Sequence, residues 1–194
     1  MSLMAQYALD IRDVKQHDLR NRIGYIPQKA TLFSGTIESN LRYADENATD
    51  STIENALEVS QAKEFVSKMP SGIEEPISQG GTNVSGGQKQ RLSIARALVK
   101  NADIYIFDDT FSALDYHTDA LLREALNKMV KEKHSTVFIV AQRISSIMHA
   151  DKIIVLDQGK IVGNGTHAEL MKNCPVYQEI AYSQLSRKEL AVNE

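Results

Sequence analysis

Short apolar runs alternate along the chain with stretches whose apolar residues recur every three or four positions, the pattern of a parallel sheet flanked by helices. Ile23 to Pro27 reads as a short strand ended by proline. From Ser51 to Met69, the residues Ile53, Leu57, Phe65, Val66 and Met69 fall at helical spacing, and Ser51 with Glu54 predicts a capping box at the start. Pro70, Gly72, Pro76, Gly80 and Gly81 then mark an irregular stretch that feeds an alanine-rich, basic helix from about Ser85 to Val99. Ile104 to Phe107, Thr136 to Ala141 and Lys152 to Leu156 are apolar and β-branched, as expected of strands buried on both faces, with a helix over Ala120 to Val130 between the first two. Gln158-Gly159 predicts a hairpin into Lys160 to Val162, and Thr166 with Glu169 caps a last helix. The polar tail from Ser186 to Glu194 is expected to fray.

With 194 residues the chain is sized for one domain and at most a small appendage. Its 42% hydrophobic and 24% charged residues exclude whole-chain disorder. The 22 basic and 25 acidic residues leave a net charge of −3, which gives no general attraction to nucleic acid or anionic lipid, so any phosphate is held by a local site and no nucleic-acid partner is expected. One cysteine, Cys174, excludes an intramolecular disulfide and a cysteine-rich zinc module, and fits a reducing compartment. No apolar run approaches the roughly 18 to 20 residues that span a bilayer. Met1-Ser2-Leu3 before Met4 reads as a cloning scar.

Candidate chemistry gathers at four places. Val84-Ser85-Gly86-Gly87-Gln88 stands before a helix, where adjacent glycines admit close approach and free amides with the positive dipole end favour an anion such as phosphate; taken alone, the same residues also make an ordinary turn and cap. Ile104-Tyr105-Ile106-Phe107-Asp108-Asp109 is an apolar strand ending in two acids, where an open α/β sheet places its ligand crevice; one acid can hold magnesium through water and the other orient an attacking water. Ser112-Ala113-Leu114-Asp115 forms a polar-ended turn. Tyr25-Ile26-Pro27-Gln28 and Ala141-Gln142-Arg143 end two further strands in uncharged polar side chains. The five histidines, His17, His117, His134, His149 and His167, have no metal-ligand spacing, and Gly163 to Ala168 mimics a dinucleotide fingerprint without its βαβ frame.

In order and spacing, from about Asp10 to Leu185, these elements resemble the nucleotide-binding domain of ATP-binding cassette (ABC) transporters. The resemblance implies an α/β parallel-sheet P-loop NTPase core with a helical signature subdomain. Gln28 matches the Q-loop glutamine, Ser85, Gly86, Gly87 and Gln88 the signature, Asp108 the Walker B aspartate, Ser112 to Asp115 the D-loop, and Gln142 the switch-histidine position. It also implies ATP and Mg2+ as cofactors: Asp108 and Gln28 toward the metal; Asp109, Gln142 and Gln28 in catalysis; and Ser85 to Gln88 with Asp115 toward nucleotide. Leu32-Phe33-Ser34-Gly35-Thr36-Ile37 with Asn40-Leu41 is similar to the exporter branch that moves drugs, lipids or peptides. Gln79-Gly80-Gly81 sits where that branch carries its X-loop. The implied partners are a transmembrane domain and a second nucleotide-binding domain at the cytoplasmic face of the cell membrane.

No Gly-x-x-x-x-Gly-Lys-Ser/Thr occurs in the sequence, so the chain reads as a domain incomplete at its N-terminus, in which self-association of exposed strand edges is expected. Within residues 4–185, the Q-loop-to-signature helical subdomain is expected over about 35–100 and the Walker B-to-switch core over 101–170, with 1–3 and 186–194 outside. Asp109 stands where the family usually has glutamate, one methylene shorter, and Gln142 where a histidine is usual and cannot become cationic. Two readings follow: a subunit of a heterodimeric exporter that donates an intact signature to its partner's site while its own is degenerate, or a regulatory module that holds ATP without turnover. A soluble ABC protein of DNA repair or translation is the third, disfavoured by the absence of a coiled-coil insertion or basic arm.

Overall fold

In this computed structural model the described residues are 10–185; the segments read above as a scar, Met1-Ser2-Leu3, and as a fraying tail, Ser186–Glu194, lie outside them. By its internal contacts the chain divides into two compact units, Met1–Phe138 and Ile139–Glu194.

The first unit is organised around a strand pair. After helix α1 (Gln16–Asn21), β1 (Ile23–Ile26) runs parallel to β4 (Ile104–Asp108), with Ile23 opposite Ile104 and Ile26 opposite Phe107. The strand β5 (Thr136–Val140) follows on the far side of β4, giving the order β1-β4-β5. Side chains alternate between sheet faces, and here one face is buried: Gly24, Ile26, Tyr105 and Phe107 point into the core, whereas Tyr25 is exposed and Ile106 and Asp108 are half-buried. Burial on both faces, expected for these strands, is therefore not observed. β5 departs furthest, since none of its residues is buried and Phe138 and Val140 are about half exposed. Gly24 is dictated by packing, because a Cβ there would stand 2.7 Å from the buried Tyr105 ring and 3.2 Å from the Ala97 carbonyl oxygen.

Helices cover the buried face. A short β2 (Gly35–Thr36) pairs antiparallel with β3 (Pro76–Ile77), and α2 (Ile37–Arg42) starts directly from it, its end closed by a capping box between Thr36 and Ser39. Beyond it come α3 (Asp50–Val59), α4 (Lys63–Ser67) and α5 (Gly86–Val99), with Ile37, Leu41, Ile53, Leu57, Leu92 and Ile94 buried among them. The single helix expected from Ser51 to Met69 is two helices. The break is local: the buried Ser60 hydroxyl donates back to the Leu57 carbonyl, and Gln61 turns left-handed at φ 59°. The cap also lies two residues earlier than expected, on Thr49, whose hydroxyl accepts from the Thr52 amide at 3.2 Å. Asp115 caps α6 (Tyr116–Lys133), which ends where His134 turns left-handed.

The second unit is a hairpin and two helices. β6 (Ile153–Asp157) and β7 (Lys160–Gly165) are joined through Gln158 and Gly159, both at positive φ, the backbone a two-residue hairpin turn needs. Thr166 and Glu169 form the expected capping box of α7 (His167–Asn173), but a second helix, α8 (Pro175–Gln184), follows where one was expected, because Cys174 turns extended and proline restarts the chain at the first helical position. Ile144, Ile153, Val155, Leu170, Cys174, Tyr177 and Ala181 form this unit's core. Cys174 is buried there, as an inert thiol would be. His167 is also buried, 2.7 Å from the Tyr177 hydroxyl, and desolvation together with the nearby His149 lowers its pKa, while burial pushes Tyr177 up to about 12.

Two measurements check this description. Thr49→Ala should cost about 1 kcal/mol in denaturant unfolding and Ser51→Ala close to nothing; equal costs would mean that the cap lies elsewhere. Because folding disfavours the charged form of His167, the unfolded chain binds the extra proton. Stability of the second unit should therefore fall as pH drops below about 6.5, and a His167→Asn variant should lose less over that range when followed by amide exchange.

Candidate functional site

The site is built where β1 and β4 end side by side. Register pairs Tyr25 with Ile106, so Tyr25, Ile106 and Asp108 project from the same face, and the Tyr25 hydroxyl donates to Asp108 Oδ2 at 2.9 Å. That bond to a carboxylate holds the Tyr25 phenol above its ordinary pKa. Pro27 ends β1, and in the following turn the Gln28 amide Nε2 donates to Asp109 Oδ2 at 3.0 Å. Asp109 itself is left-handed, at φ 44° and ψ 32°, a conformation uncommon for a residue with a side chain. Two contacts fasten the turn beyond it: the Ser112 hydroxyl donates to the Asp109 carbonyl at 2.8 Å, and the buried Thr110 hydroxyl donates to the Ile26 carbonyl at 3.3 Å. Asp108, the last residue of β4, and Asp109, just beyond it, are thus held respectively by Tyr25 of β1 and by Gln28 just beyond β1.

The second cluster lies at the start of α5. Ser85 is its N-cap: the Ser85 hydroxyl accepts from the Gln88 amide at 3.2 Å, and Gln88 Oε1 accepts from the Ser85 amide at 3.0 Å. Gln88, read in the sequence as a nucleotide contact, therefore spends its carbonyl oxygen on the cap. Gly86 is open, since a Cβ there would meet nothing within 4 Å, while one at Gly87 would lie 3.8 Å from the Ala113 carbonyl. The helix start accordingly adjoins the Ser112–Asp115 turn. Asp115 accepts from the Thr118 amide at 3.0 Å, which holds its carboxyl below the usual carboxylate range.

Arg91 braces this region from behind. It donates to the Gln61 carbonyl at 2.8 Å and the Gly87 carbonyl at 3.4 Å, and its guanidinium lies 4.6 Å from the centre of the Phe65 ring. The left-handed break between α3 and α4 is thereby tied to the glycine pair at the head of α5.

Of the residues singled out in the sequence, Gln28 and Asp109 come together, Asp108 stands beside them in the chain, and Ser85 to Gln88 adjoin the turn that carries Asp115. Gln142 belongs to the second unit, where its carbonyl accepts from Gln184 Nε2 at 2.8 Å. Sequence reasoning missed Tyr25 as the partner of Asp108, and Arg91 and Thr110 as braces. The signal for Tyr25 was a hydroxyl three residues before Gln28 on the neighbouring strand, meaningful only once the register of β1 on β4 is known.

Known proteins resemble this chain over most of its length. The ABC transporter family matches residues 5–112. An uncharacterized ABC transporter ATP-binding protein of Mycobacterium tuberculosis is 46% identical over 179 residues, 91% of this chain and 30% of the relative. The ATP-dependent lipid A-core flippase of Desulfotalea psychrophila is 40% identical over 169 residues, 87% of this chain and 29% of that protein. The chain thus spans about 30% of the length of these curated relatives. Among solved structures, a bacterial Atm1-family ABC exporter with ATP bound superposes with a TM-score of 0.86 at 34% identity, covering 92% of this chain and 31% of that one. With its α/β fold, its parallel β1–β4 pair and a family match over more than half its length, the chain belongs to the ABC transporter family.

Proposed function

We infer that this chain is part of the ATP-driven engine of an exporter, in which two such domains close on ATP at the cytoplasmic membrane face and closure moves a transmembrane partner. The observation that carries the reading is the pairing of Gln28 with Asp109 at 3.0 Å, beside Asp108, at the C-terminal ends of parallel strands. Among the described residues no helix is long and apolar enough to cross a membrane. In this reading a transmembrane domain supplies the pathway and selects the cargo.

The donor set suits Mg2+. Asp108 offers a carboxylate and Gln28 a carbonyl oxygen, hard ligands of the kind Mg2+ takes one or two at a time, completing its shell with water and substrate phosphates. Bound there, the ion would neutralise charge on the β- and γ-phosphates of ATP. Asp109 would orient the attacking water and Gln142 would donate to the γ-phosphate without becoming cationic. Asp109, a methylene shorter than glutamate, is also occupied by the Gln28 amide. Both features weaken this chain's own site. A side chain at Gly86 would meet nothing within 4 Å and one at Gly87 only the Ala113 carbonyl, so the two glycines at this helix start would admit an anion, with Asp115 nearby, for nucleotide held mainly by a second domain. A heterodimer in which this chain donates its signature to a competent partner site follows from that asymmetry. The regulatory alternative, ATP held without turnover, draws on the same Gln28–Asp109 contact.

Ranking two variants in the assembled exporter separates these readings. Gly86→Asp adds a side chain and a negative charge where an anion must dock, and should abolish most ATP turnover, since one lost donor alone costs about 10² to 10³ in rate. Asp109→Asn should leave most turnover intact. The opposite ranking would make this chain's own site the working one.

The chain by itself has no Gly-x-x-x-x-Gly-Lys-Ser/Thr cradle and should show little heat with Mg-ATP in calorimetry; submicromolar binding would contradict that. Among the described residues β5 is an edge strand with exposed Phe138 and Val140, so the isolated chain should also self-associate in sedimentation, and a monomer would count against it.

A further inference from the structure

The geometry points to Tyr25 as a positioning residue for the metal acid: its hydroxyl fixes Asp108 through Oδ2 and leaves Oδ1 as the oxygen that serves the cation's water. This rests on the reading of Asp108 as the Mg2+ acid.

Three observations lead there. The Tyr25 hydroxyl donates to Asp108 Oδ2 at 2.9 Å, and among the described residues Oδ1 has no hydrogen-bond partner. The tyrosine is held by the sheet itself, since β1 and β4 pair in register from Ile23–Ile104 to Ile26–Phe107 and the Tyr25 backbone cannot shift without breaking that ladder. Its ring is about half exposed, at 53%, and adds little to the core of the described residues. A carboxylate with one oxygen engaged by a fixed donor loses rotational freedom and presents the other in one direction. Mg2+ demands near-ideal octahedral geometry and therefore gains from that restriction. Partners of this kind typically contribute 10- to 100-fold to metal affinity without touching the ion.

The test uses the complete transporter that carries this chain, loaded with a non-hydrolysable ATP analogue, with Mn2+ as the paramagnetic stand-in for Mg2+. Electron paramagnetic resonance titration of the wild type and Asp108→Asn first identifies the Mn2+ sites that depend on Asp108. Tyr25→Phe keeps the ring and removes the donor. It should weaken those same sites about tenfold, leave the melting temperature unchanged, and leave nucleotide affinity measured without metal unchanged. Wild-type Mn2+ affinity in Tyr25→Phe, with the sites lost in Asp108→Asn, would overturn the positioning role and leave Asp108 as the metal acid. Full Mn2+ binding in Asp108→Asn would remove the reading on which the inference rests. If Tyr25→Phe melts lower, Tyr25→Leu decides between the two explanations: Mn2+ affinity lost to the same degree in both variants, despite their different packing, supports the hydroxyl, and affinity that tracks melting temperature overturns it.

Discussion

Everything at the candidate site depends on the parallel pairing of β1 with β4. Parallel strands lie about 4.8 Å apart, so residues at matching heights can exchange side-chain hydrogen bonds across the gap. In this register the end of β1 reaches both acids at the end of β4: Tyr25 meets Asp108 and Gln28 meets Asp109. A shift of one residue would turn Tyr25 to the opposite face and separate both pairs. What prevents that shift is apolar. Ile26, Tyr105 and Phe107 are fully buried on the other face, and each large apolar side chain removed from water stabilises the arrangement by roughly 1.5–3 kcal/mol. Gly24 permits the same close packing from beneath. The site's polar contacts are thus set by the register that the hydrophobic face imposes.

Cap geometry shapes the start of α5. The Ser85–Gln88 box satisfies the helix end from within, and the open Gly86 beside it keeps backbone accessible. A helix end must satisfy its first amides or leave them for a guest. Here side chains take some, and the glycines leave the space beside them uncrowded, which is what the proposed anion site requires. Arg91, reaching from the same helix to the Gln61 carbonyl, ties that end to the break between α3 and α4.

Local signals in the sequence were strong wherever one short segment settled the matter. The hairpin at Gln158-Gly159, the Thr166–Glu169 capping box and the helix beginning at Ser85 were all legible, because turn and cap chemistry acts over three or four residues. The errors fell where longer-range terms compete. The helix from Ser51 continued apolar spacing across Ser60 and Gln61, but a serine back-bond and a carbonyl needed by Arg91 thirty residues away favour a break. Burial on both strand faces was inferred from composition, and composition does not say what packs against a face. Asp108, Asp109, Gln28 and the Ser85 segment were legible as candidates through their motif order; Tyr25 was not, since no motif marks it.

The sequence by itself determined the alternation of strands and helices, the family resemblance, the substituted residues Asp109 and Gln142, and the glycine pair at Gly86 and Gly87. These are properties of residue identity and short spacing. Only the tertiary structure decided which side chains meet: Tyr25 on Asp108 across 83 positions, Gln28 on Asp109 across 81, and Gln88 turned back onto its own cap. The reason is physical. Spacing along a chain constrains neighbours within a few turns, whereas contacts between distant segments follow from strand register, and register is chosen by the burial of one sheet face as a whole.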